Sequence, residues 1–132
     1  MIIDNNYKYS ELTSKIIKCA MNVHNYIGNG FPEVIYQRCL EIEFIKSSIN
    51  FKKEVELPVY YYDIEVGKRR ADFIAEDAVI IELKAIKELD DFCVSQILNY
   101  LKAFKKEVGL LINFGEKSLE FRRLANFNIE TS

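Results

Sequence analysis

Apolar residues recur along this chain with two different periods, and the change between them divides it into elements. From Ser10 onward Ile16, Ile17, Ala20, Val23, His24 and Ile27 fall at helical spacing, with Ser10 or Thr13 able to start the helix and Gly28-Asn29-Gly30 to stop it. A second helix is predicted from about Pro32, a residue tolerated in a first turn, to about Ser47–Asn50. Its apolar stripe reads Val34, Ile35, Leu40, Phe44 and Ile45. The period then drops to two. Val55, Leu57, Val59 and Tyr61 alternate with Glu54, Glu56, Pro58 and Tyr60, which predicts a strand that turns over Asp63–Gly67. Pro58 puts this strand at a sheet edge. Further strands follow at about Lys68–Ala75 and Ala78–Ala85, the latter the most apolar and therefore central. Asp90 and Asp91 open a third helix that runs to about Lys106, with acidic residues at the end that favours them. Val108–Asn113 reads as a strand buried on both faces, and Leu119, Phe121 and Arg123 as a last short one.

The order is helix, helix, three strands, helix, two strands. The strand ending near Ala85, its following helix and the Val108 strand have βαβ spacing, so they predict a parallel pair. An α/β protein with a mixed sheet flanked by helices follows, and the 132 residues form one domain, 1–132. Seventeen aromatic residues (8 Tyr, 9 Phe) and little Gly or Pro give the composition of a folded globule. No apolar run is long enough to span a membrane, and Met1–Ser14 lacks the apolar core of a signal peptide. The expected location is cytoplasmic. Cys19, Cys39 and Cys93 lack the close pairing of a zinc site and read as buried free thiols.

The net charge of −2 gives no global attraction to nucleic acid and counts against a non-specific binder. Its distribution is uneven, however. Seven acidic residues and two lysines lie between Ala71 and Asp91, directly after the basic run Lys68-Arg69-Arg70. With a hairpin turn centred on Asp77, Asp72 falls opposite Glu82 and Arg70 opposite Lys84. Facing side chains of this kind are ~4.5–5.5 Å apart at Cβ. Two carboxylates so close repel by about 3 kcal/mol at an effective dielectric near 20, more than the ~0.2–1 kcal/mol a good cross-strand pair contributes. A cation between them resolves the conflict, and a divalent metal with Lys84 as a fixed positive charge fits it. Asp72 and Glu82 would offer hard oxygens for Mg²⁺ or Mn²⁺, the Ile81 carbonyl an extra ligand, and Lys84 stabilisation of developing charge. Glu82-Leu83-Lys84 alone would be read as a solvated strand face; the register of Asp72 makes the difference. On their own, Glu33 with Tyr36, Gln96 with Tyr100, and His24 have plainer readings: a helix-start glutamate, an ordinary helix pair and a packed histidine.

Taken together, these residues resemble the GxxExxY proteins, a bacterial and archaeal branch of the PD-(D/E)XK nuclease-like superfamily. The resemblance runs from Ser10 to Leu124 through Val23-His24-Asn25, Gly30-Phe31-Pro32-Glu33-Val34-Ile35-Tyr36, Arg70-Ala71-Asp72-Phe73, Ile80–Ala85, Gln96–Lys102 and Gly109–Gly115. It implies a restriction-endonuclease-like αβββαβ core with an additional N-terminal helix and a magnesium-dependent site. Glu33 matches the helical acidic motif, Asp72 the strand aspartate, Glu82 with Lys84 the ExK pair, and Gln96 with Tyr100 the QxxxY element of RecB-like nucleases. Ala71 replaces the proline of the superfamily's name, a position outside the chemistry. The implied activity is phosphodiester hydrolysis in nucleic acid, DNA before RNA, with Glu33, Asp72 and Glu82 on the metal. Lys68, Arg69, Arg70 and Tyr36 would then contact the nucleic acid. The alternative is a non-catalytic binding or regulatory module of the same fold; a homodimer or protein partner is compatible with either.

Overall fold

A computed structural model describes residues 9–126; part of the polar N-terminal stretch, residues 1–8, lies outside it. The elements are α1 (Ser10–Ile27), α2 (Glu33–Lys46), β1 (Phe51–Tyr61), β2 (Ile64–Ala75), β3 (Val79–Lys84), α3 (Asp91–Phe104), β4 (Val108–Asn113) and β5 (Glu120–Ala125). The expected succession is met. One sheet runs β1-β2-β3-β4-β5, with β3 and β4 parallel and every other neighbouring pair antiparallel. A parallel neighbour requires a crossover, and α3 supplies it. β3 is indeed central, and β1, which carries Pro58, is an edge strand.

The two faces of the sheet are covered differently. Ile16, Cys19, Ala20 and Val23 of α1, with Tyr36, Leu40 and Phe44 of α2, pack on Phe73, Ala75, Val79, Ile81, Leu83, Leu110 and Ile112. On the opposite face α3 packs Tyr100, Leu101 and Phe104 on Ala71, Ile74 and Ile80, and Cys93 and Ile97 on Leu111. The stripe of α2 differs from expectation. Its buried positions are four apart, and Val34 and Ile45 are exposed. The cysteines are free, Cys19 and Cys93 buried and Cys39 half-buried. Asp90 caps α3, accepting the Cys93 N–H at 2.9 Å. Among the described residues no helix is long and apolar enough to cross a membrane.

The β1–β2 hairpin is longer than its sequence suggests. The turn lies at Tyr62-Asp63, since Tyr61 already pairs with Ile64. Gly67 pairs with Val59 and Glu65 with Tyr60, leaving Val66 as a bulge. The Asp63–Gly67 turn signal therefore marks a tighter turn followed by an irregular strand.

Candidate active site

The β2–β3 hairpin sets the register of the site. Glu76 and Asp77 adopt left-handed φ of 51° and 52°, and the Ala78 N–H closes the turn on the Ala75 carbonyl at 2.9 Å. Ala75, Ile74 and Phe73 then pair with Val79, Ile80 and Ile81. This register brings Asp72 to Glu82, but there the ladder stops and the carboxylates take over. The Asp72 N–H donates to Glu82 Oε1 at 3.1 Å, and the Leu83 N–H to Asp72 Oδ2 at 2.8 Å. Each acid is thus fixed by an amide of the facing strand. Arg70 does not reach Lys84: by that point β2 has left β3, and Arg70 pairs with Glu56 of β1.

β1 is irregular at the same level. Glu54, which stands between the paired residues Lys53 and Val55, has a φ of 54° and no ladder partner. Phe73 faces α1 and α2, whereas Ala71 faces α3. The faces of the strand thus exchange across Asp72. Glu54 also adds its charge to the surroundings of Asp72, a neighbour that nothing in the local sequence pattern points to.

The remaining groups arrive from both layers. Lys84 Nζ donates to Gln96 Oε1 of α3 at 3.2 Å, which fixes the ammonium beside the acids. Tyr100, one turn further along α3, is buried and lies within the field of Glu82, Asp72 and Arg69. Glu33 opens α2 and feels Lys84 and Asp72, while Gln37 Nε2 reaches the Asp72 carbonyl at 3.5 Å. Glu82 is 8% exposed. Burial first, then the charge of Asp72, pushes its carboxyl from 4.5 to about 8, against the relief given by the Asp72 amide and Lys84. Asp72 and Glu33 are also raised, chiefly by lost hydration. Carboxyls that hold protons this strongly would gain from a cation.

Among the described residues no three His, Cys, Asp or Glu side chains gather closely enough to enclose a metal alone. Mg²⁺ does not require such a cage. It commonly takes one or two carboxylates and completes its octahedron with water and substrate phosphate. The facing pair Asp72 and Glu82 fits that demand, with Glu33 as an outer carboxylate.

Two expected contributors lie elsewhere. Tyr36 is fully buried: its hydroxyl donates to the Gly28 carbonyl at 2.6 Å and its ring stacks on Phe114 at 4.4 Å, so it braces the loop before α2 and has no surface for nucleic acid. Ile81 pairs with Phe73 on one side and Leu110 on the other, which puts its main chain inside the sheet's own bonding. Lys68, Arg69 and Arg70 are exposed on β2. His24 is the packed histidine expected, with Nε2 at 2.8 Å from the Glu116 carbonyl.

A support behind Lys84 escaped the motif reading. Asn113 Oδ1 accepts the Ile86 and Gly115 N–H groups, and its Nδ2 donates to the Ile86 carbonyl, all at 3.0 Å. Gly115 lies so close to Ala85 and Ile86 that a Cβ would overlap their main chain. A polar residue ending a fully apolar strand, followed two positions later by glycine, was the available signal. Gly115→Ala should therefore destabilise the protein by about 1–3 kcal/mol, as other overpacking changes do. Denaturant unfolding checks this, and an unchanged midpoint would contradict the close approach.

The model of the PD-(D/E)XK nuclease superfamily matches residues 10–124 of this chain. A solved structure titled "Crystal structure of SSO0001" is similar with a TM-score of 0.55 and 23% identity, over 92% of this chain and 60% of that one. At that identity the likeness is one of fold, and this chain spans about 60% of the length of that protein. The chain matches no curated protein.

Proposed function

The chain belongs to the PD-(D/E)XK nuclease superfamily, with the mixed, helix-flanked sheet of a restriction-endonuclease-like fold, and from that premise we propose that it hydrolyses phosphodiester bonds in DNA. The observation that carries this reading is the facing pair Asp72 and Glu82, at the end of the β2–β3 ladder, with Lys84 two residues on. Within the superfamily we assign the chain to the GxxExxY branch, on Gly30, Glu33 and Tyr36.

A bound Mg²⁺ or Mn²⁺ would neutralise phosphate charge and acidify the attacking water. Asp72 and Glu82 would hold it, each keeping one oxygen on a backbone amide, and Glu33 would reach in from α2. Lys84, fixed by Gln96, stabilises the negative charge that builds as water adds to phosphorus and the bond to the leaving sugar oxygen breaks. Tyr100, packed against Ala71 and within the field of Glu82, borders the site from α3. Lys68, Arg69 and Arg70 bind the phosphate backbone. Incubating the protein with single-stranded, duplex and branched DNA, in Mg²⁺, Mn²⁺ or EDTA, tests the proposal. Absence of metal-dependent cleavage on all three substrates would overturn it.

A second reading, a regulatory module without catalysis, draws on one observation: no ready cage of three metal-binding side chains exists among the described residues. A thermal melt separates the two readings. A working carboxylate site should raise the melting temperature as Mg²⁺ or Mn²⁺ saturates it; no response to either ion, with a stable protein complex in pull-down, favours the module.

A further inference from the structure

The β1–β2 arm outruns the sheet. β3 pairs with β2 only across Phe73–Ala75, while β1 and β2 continue together as far as Tyr61 and Ile64. Residues 60–70 are all exposed. Between this arm and α3 lies an open groove of about 630 Å³, within the ~300–1,000 Å³ range of ligand sites. Tyr60, Val66, Lys68 and Arg69 line it from the arm, and Tyr100 and Lys102 from the helix. Its lining includes three cations and no anion, in a chain whose net charge is −2. Tyr60 is 59% exposed and Val66 62%. Val66 bulges between the Val59–Gly67 and Tyr60–Glu65 pairs and faces the groove beside Gly67. At the inner end, Tyr100 lies in the fields of Arg69 and Glu82, so the groove adjoins the acid pair.

We infer that this groove holds one unpaired nucleic-acid strand and leads it past Tyr100 to Asp72, Glu82 and Lys84. Lys68, Arg69 and Lys102 take its phosphates, and Tyr60 stacks on an unstacked base. Cations along a groove interleaved with an aromatic side chain suit a single strand, because a base in a duplex has its faces already covered by its neighbours. Binding of this kind needs no base-edge contacts, so little sequence preference is expected. The inference rests on the nuclease reading only for what the strand is delivered to.

Fluorescence anisotropy in EDTA, with labelled oligothymidylate and a blunt duplex of equal length, tests it with cleavage switched off. The wild type should prefer the single strand. Tyr60→Ala should weaken that binding about tenfold and Lys102→Glu by at least as much, with Arg69→Glu as a third variant; all three side chains are exposed or line the open groove, and unchanged melting shows that each variant is folded. Tighter binding of the duplex, or three variants that bind like the wild type, would overturn the groove. So would a wild-type dimer that Tyr60→Ala dissolves in the absence of strand binding, which would assign the arm to a second copy. A protein that binds oligothymidylate through these residues but never cuts DNA keeps the groove and overturns the nuclease reading. One that cuts duplex without binding the single strand does the reverse.

Discussion

Lys84→Ala is expected to slow Mg²⁺-dependent cleavage by about 10²–10³-fold, the usual effect of removing one preorganised group that stabilises transition-state charge. The ammonium is held by Gln96 at 3.2 Å, so it is in place before substrate arrives and no reorganisation is needed during the reaction. Asp72→Asn should lower the rate at least as far by removing a charged ligand. Asparagine is preferable to alanine here, because its oxygen can still accept the Leu83 N–H that Asp72 now accepts at 2.8 Å; an alanine would also loosen the strands. Single-turnover rates with saturating metal are the measurement. Wild-type rates in both variants would remove these residues from the chemistry.

The second large effect is on stability as a function of pH. In the folded protein Glu82 holds its proton to about 8, against an ordinary 4.5. Between those values the unfolded chain has released a proton that the folded chain keeps. Stability is therefore full below the ordinary value and declines as pH rises toward 8. At pH 7 the loss for this carboxyl is on the order of 3 kcal/mol, at 1.36 kcal/mol per unit. Asp72 and Glu33, also raised, add in the same direction. A metal held by these acids would take their ionised form, so its stabilising effect should be small at pH 5 and grow toward pH 8. Thermal melts across this range in EDTA and in Mg²⁺ would show the two curves separating. Parallel curves, or metal-free stability that is flat from pH 5 to 8, would contradict the burial and mutual repulsion of the acids.

Much of this arrangement could be read from residue order because it depends on local rules. The alternation around Asp77 and a turn of suitable length were sufficient to bring Asp72 to Glu82. Pro58 located the edge, and the mostly apolar stretch Ala78–Ala85 located the centre. Other features depend on backbone geometry that residue type does not announce. Glu54 carries a left-handed φ without being glycine, and the faces of β2 exchange at Asp72, on the same level. Val66 looks like an ordinary strand residue, yet it is the bulge. In α2 the apolar Val34 and Ile45 suggested one inward face, while the buried face is set by Tyr36, whose hydroxyl found the Gly28 carbonyl. A tyrosine with that partner can be buried as readily as an aliphatic residue, and hydropathy alone does not distinguish the two.

Because β3 departs from β2 beyond Phe73, the outer side of β2 along the arm keeps main-chain donors and acceptors that no strand of this sheet satisfies. An open margin of this sort invites another molecule to add itself, the first step toward aggregation. Three consecutive positive charges, Lys68, Arg69 and Arg70, occupy that margin, and a second copy docking there would bring its own cations against them. Charges on an open edge hinder such docking, so neutralising all three residues is expected to promote self-association.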